Sequence, residues 1–70
     1  MSITVTIYQL GMASISVNAE AGVTVGEVLE AANVSADSLS IRVGTSEASV
    51  TTVLETNSDI ILSAKVKGGN

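Results

Sequence analysis

Two glycines, Gly68 and Gly69, follow a basic–apolar alternation, Ala64-Lys65-Val66-Lys67, and precede Asn70. In this chain of 70 residues they are the positions best suited to chemistry, because the usual ones are missing. There is no histidine and no cysteine. Disulfides, Cys/His metal sites and thiol or imidazole catalysis are therefore excluded. A glycine pair cannot pack a core and is costly to order. Such a segment is either an end that frays or a tail shaped for a partner to grip.

The carboxylates Glu20, Glu27, Glu30, Asp37, Glu47, Glu55 and Asp59 are the other candidates for acid–base work. Glu27 and Glu30 fall on one helical turn, where capping and the helix dipole account for them. Asp59 suits an Asx-type bond closing the turn before the last strand. Arg42, the one arginine, reads as a solvated or partner-facing charge on a strand. Lys65 and Lys67 read as an edge-protecting, solubilising alternation. No nucleophile, base and acid fall into order, so the chain is not expected to be an enzyme.

The elements that must position these residues follow from hydrophobic period. Ile3, Val5 and Ile7 alternate with Thr4, Thr6 and Tyr8, which predicts a strand. Gly11 offers a turn after Leu10, and Ser14 to Asn18 alternates again with Ile15 and Val17 inward. Together they read as a β-hairpin. The period then changes. Thr24-Val25-Gly26-Glu27 has capping-box form, and Val25, Val28, Leu29 and Ala32 share one helical face. The helix runs for about nine residues, with Asn33 as its left-handed terminator.

Leu39 to Val43 predicts a third strand, and Gly44 to Glu47 a turn. Ser49 to Leu54 forms a weaker strand, Glu55 to Asp59 a second turn, and Ile60 to Val66 the last strand. In that last strand Ile60, Leu62, Ala64 and Val66 share a face. The link between Val17 and Leu39 predicts a parallel neighbouring pair through a right-handed crossover. The first and last strands are expected side by side in the sheet centre. The outward positions Thr4, Thr6, Ser14, Ser16, Ser40, Arg42 and Ser63 are polar, with Ile61 the exception.

Composition bounds the rest. The chain is one small domain over 1–67 with a Gly-Gly-Asn tail at 68–70, and can bury only about 60% of its unfolded surface. Stability rests on the 46% of residues that are apolar. A net charge of −4 argues against nucleic acid as a partner. No apolar run reaches the roughly 18 residues of a membrane span, and Met1-Ser2 opens no signal peptide. A soluble cytoplasmic protein is the expectation. Charged residues make up only 14%, below the usual ~25%. Hydroxyls take their place, which suits a strand-rich chain or a surface partly covered by a partner.

The element order β-β-α-β-β-β, ending in a strand that exits into Gly68-Gly69, resembles the ubiquitin-like β-grasp family. The final rhythm Ala64-Lys65-Val66-Lys67-Gly68-Gly69 is similar to that of ubiquitin, with smaller residues. Val53 to Ile61, with Asp59 before the last strand, resembles the sulfur carriers of thiamine and molybdopterin synthesis. The resemblance implies an α+β fold with a mixed four- to five-stranded sheet and one helix on one face. It implies carboxyl activation: a partner adenylating enzyme uses ATP to activate the carboxylate of Gly69, for sulfur transfer or protein conjugation. No cofactor is bound by the chain itself.

Asn70 departs from the family pattern, so a processing peptidase must first cut the Gly69–Asn70 bond. Partner contacts would fall on Lys65, Val66, Lys67, Arg42 and Ile61, with the two lysines steering the tail into an acidic groove. The polar outward face departs from ubiquitin's apolar recognition patch. The alternative is a non-catalytic interaction or assembly module, oligomeric or from a phage or virus, in which the Gly-Gly is incidental.

Overall fold

The computed structural model describes residues 1–36 and 39–64; Asp37, Ser38 and residues 65–70 lie outside them. The alternation at the start forms strand β1, Ser2–Gln9. Ile3, Val5 and Ile7 are buried, while Thr4 and Tyr8 face out. The Met12 N–H donates to the Gln9 carbonyl at 3.0 Å, and Gly11 takes φ +82° in this turn. That φ is one an L-residue with a Cβ rarely adopts. Strand β2, Ile15–Glu20, returns antiparallel to β1, with Val17 opposite Val5. Ile15 lies on the inward face, opposite Ile7, as expected, but it is exposed because among the described residues β2 has a strand neighbour on one side only.

Strand β3, Val23–Thr24, leads directly into helix α1, Val25–Ala31. The expected capping box forms. The Glu27 N–H donates to the Thr24 hydroxyl at 3.2 Å, and the Thr24 N–H donates to Glu27 Oε1 at 2.9 Å. At the far end Asn33 takes φ +59°. Its N–H reaches the Glu30 carbonyl at 3.0 Å, and the Val34 N–H reaches Leu29 at 2.9 Å. This pair is the Schellman motif. It stops the helix at seven residues, two short of the expected nine.

Strand β4, Leu39–Val43, turns at Gly44-Thr45 into β5, Ser46–Ala48. Ser46 and Glu47, expected in the turn, are therefore strand. The weak strand expected from Ser49 to Leu54 is reduced to β6, Val53–Leu54, which pairs with β3 as a separate two-stranded sheet. The reason is the helix. Ser49 to Thr52 closes a turn by Thr52 N–H to Ser49 O at 3.0 Å. Its carbonyls then cap α1: Val25 N–H donates to Thr52 O and Gly26 N–H to Val50 O, both at 2.9 Å.

Strand β7, Ser58–Ala64, completes the chain described. Ser58 and Asp59 belong to it rather than to the preceding turn. Asp59 does not close that turn with an Asx bond. Instead Asn57 Oδ1 accepts the Thr4 N–H at 2.8 Å, and the Ser58 hydroxyl donates to the Thr56 carbonyl at 2.8 Å.

The five-stranded sheet runs β2-β1-β7-β4-β5. As expected, β1 and β7 lie side by side at the centre, and they are the parallel pair. The predicted parallel pairing across the helix does not occur: β2 and β4 stand on opposite sides of the β1–β7 pair. The inner faces of β1 and β7, from Ile3 to Leu62, close on Val25, Val28 and Leu29 of α1 and on Leu54. This is a two-layer α+β domain with a mixed sheet and the helix on one face. Ala64, expected on the core face, is exposed. Among the described residues, no helix is long and apolar enough to cross a membrane.

Candidate functional site

Because β1 and β7 are parallel, both strands finish at the same end of the sheet. Their register sets Tyr8 beside Ile61, and the β4–β7 register sets Arg42 on the other side of Ile61. Arg42 in turn faces Glu47 across β4 and β5. Alternation sends the whole row Tyr8, Ile61, Arg42 and Glu47 to the face away from α1. Two of the sequence-predicted partner residues, Ile61 and Arg42, are thus brought together. Lys65, Val66, Lys67, Gly68 and Gly69 lie outside the described residues.

The turn after β1 adds two more apolar side chains at that end. Leu10 is 93% exposed and Met12 is 64% exposed, beside Tyr8 at 45% and Ile61 at 37%. With Gln9 and Ser63 they line an open hollow of about 450 Å³. A leucine almost wholly in water adds nothing to the core of its own chain. Burying it against a partner is worth about 1.5–3 kcal/mol. Clustered exposed apolar side chains of this kind mark interaction surfaces. The ledge they form is the strongest candidate site among the described residues.

The outward face is accordingly less polar than the sequence reading had it. Thr4, Thr6, Ser16 and Ser63 do face out, and so does Tyr8, as its alternation with Ile7 predicts; Leu10 and Met12, in the turn, add apolar surface that the strand pattern does not show. The available signal was the composition of the turn. Leu10 and Met12 flank a glycine in a tight connection, where polar residues are usual.

A second, polar hollow of about 520 Å³ lies on the same face, lined by Thr4, Thr6, Gly44, Asn57, Ser58 and Asp59, with Val43 at its wall. The Asn57 amide oxygen is already committed to the Thr4 backbone. The carboxylates are spread. Glu27 sits in the capping box, and Glu20 meets the Met1 ammonium at 3.3 Å on the surface. Among the described residues, no three carboxylates gather as a metal site would need.

The arrangement offers a binding surface: an apolar ledge with Arg42 and Glu47 in line beside Ile61. No protein-family model matches the chain, and no curated protein matches it.

Proposed function

We propose that the chain is a ubiquitin-like β-grasp protein acting as a small carrier or modifier. Its Gly68-Gly69 tail is the reactive part, once the Gly69–Asn70 bond is cut. The Gly69 carboxylate attacks the α-phosphorus of ATP on a partner adenylating enzyme and expels pyrophosphate. Sulfide or a lysine amine then attacks the acyl-adenylate and releases AMP. No side chain of this chain takes part. Such a reaction belongs in the cytoplasm, where ATP is supplied.

One observation carries the reading: the apolar ledge of Tyr8, Leu10, Met12 and Ile61 stands at the end of the sheet toward which β7 runs. A partner seated on the ledge would hold the domain while the tail enters its active site. The test is intact mass of the chain isolated from its source. Loss of Asn70 with one oxygen exchanged for sulfur, or attachment to a lysine, is the expected result. An uncut, unmodified Gly69–Asn70 bond in every preparation would sink it.

A second reading is a non-catalytic interaction module. The near-complete exposure of Leu10 favours it, since the ledge needs no tail to bind a partner. Under that reading, removing residues 68–70 leaves function intact.

A further inference from the structure

The two edges of the five-stranded sheet are unlike. Strand β5 offers three residues, Ser46–Ala48, and carries Glu47. Strand β2 offers six, Ile15–Glu20, with no proline and no lysine. Short length, proline and lysine are the usual means by which an edge is kept from pairing. The β5 edge has the first of these; the β2 edge has none.

The backbone groups on the β2 edge can be assigned. The Ala21 N–H donates to the Met1 carbonyl at 2.8 Å, so the odd-numbered residues of β2 turn their polar groups toward β1. Val17 opposite Val5 and Ala19 opposite Ile3 follow the same parity. The N–H and C=O of Ser16 and Asn18 therefore point out of the sheet. Among the described residues, no strand pairs with that side of β2.

We infer that the β2 edge is the dimer interface for a second copy of this chain, paired antiparallel about a two-fold axis through Val17. The register is self-complementary. Ser16 of each copy exchanges backbone hydrogen bonds with Asn18 of the other. On the helix side Val17 meets Val17, and Ile15 meets Ala19, which covers the 37% of Ile15 now exposed. On the other side Glu20 falls opposite Ser14, so the one charge of the strand meets no like charge. Shifting the axis by one position to Asn18 would leave Ile15 against Ala21 and lose the Val17 contact. A dimer of this kind is isologous and closed. It joins two five-stranded sheets into one and leaves both ledges at Tyr8 and Ile61 uncovered. This inference does not rest on the carrier reading.

A six-residue edge buries less than a standard interface, so association is expected between micromolar and millimolar concentration. Light scattering and sedimentation of the full chain should show its mass rising from 7.0 kDa toward twice that over this range. Ser16→Pro removes one outward N–H in each copy without touching a β1 hydrogen bond. It should raise the dimer dissociation constant ~tenfold or more while folding is kept.

The register has its own test, made clean by the absence of cysteine. Val17→Cys should cross-link to itself on mild oxidation, because Val17 sits opposite its copy in the close, non-hydrogen-bonded pair. Ile15→Cys should not. A wild-type chain that stays monomeric to millimolar concentration overturns the proposal. So does a dimer that is unmoved by Ser16→Pro, or one that cross-links through position 15 in preference to 17. Capture of an extended peptide of another protein on β2, with no self-association, overturns it equally.

Discussion

Gly26 shows how much can hang on one hydrogen atom. An ideal Cβ at this position would stand 3.1 Å from the Val50 carbonyl oxygen and 3.2 Å from the Val50 Cβ. Glycine to alanine in a helix ordinarily gains about 1 kcal/mol. Here the crowding oxygen is also the acceptor of the Gly26 N–H, at 2.9 Å. It cannot retreat without lengthening that bond. Gly26→Ala is therefore expected to destabilise by about 1 kcal/mol, against the helix-propensity trend. Urea denaturation measures it, and a raised midpoint would refute the clash. Two residues earlier, Thr24→Ala removes one half of the capping box and should cost about 1 kcal/mol with the denaturant slope unchanged. The Thr24–Glu27 box and the Asn33 terminator were legible in the sequence because both are local: each depends on residues within one or two turns. The crowding at Gly26 was not legible. It arises from Val50, far along the chain, and no spacing rule connects the two.

At the scale of elements, what the sequence revealed divides by length and by neighbour. Strand β1, strand β4, the helix and β7 from Ile60 onward were readable because each carries a sustained period. The two-residue strand β3, Val23–Thr24, was not, since it is too short to show one, and β6, Val53–Leu54, is only the end of the longer strand expected over Ser49 to Leu54. They exist because the hydrogen-bonding needs of the helix N-terminus draw the 49–52 turn against it and align Val53–Leu54 with Val23–Thr24. Parallel pairing was misplaced for a related reason. Local pattern says that a helix crosses the sheet, and not how many strands it crosses. Leu54 is the keystone of this small sheet: it is 3% exposed and joins the core through a strand only two residues long. Leu54→Ala should cost about 2–5 kcal/mol, since little around it can close the cavity. It should also loosen the turn that caps α1. Hydrogen exchange at the Val25 and Gly26 amides should then speed up by more than at Val5 or Ile60. Equal acceleration at all four would mean that the β3–β6 pair is not a unit with the helix cap.

For the molecule as a whole, the question is whether docking and chemistry are separable. The core among the described residues runs from Ile3 to Leu62, and the ledge stands outside it on Leu10 and Met12. Leu10→Ser thus removes an apolar side chain that the fold does not use, and stability should stay within about 0.5 kcal/mol. If the ledge seats the adenylating partner, this variant of the chain cut after Gly69 should raise KM about tenfold in pyrophosphate release. The kcat should hold, because the reacting carboxylate is untouched. Removing Gly68 and Gly69 should do the opposite: the domain still binds the partner, while acyl-adenylate no longer forms on the tail. The two variants together distinguish the readings. A chain whose partner affinity falls with Leu10→Ser, and whose function survives loss of residues 68–70, is an interaction module. A carrier loses capture with the first change and turnover with the second. Many domains expose a leucine; this one stands at the end of the sheet toward which β7 runs. Docking there would place the partner's active site within reach of the tail, and the KM-against-kcat split is the measurement that reads this geometry directly.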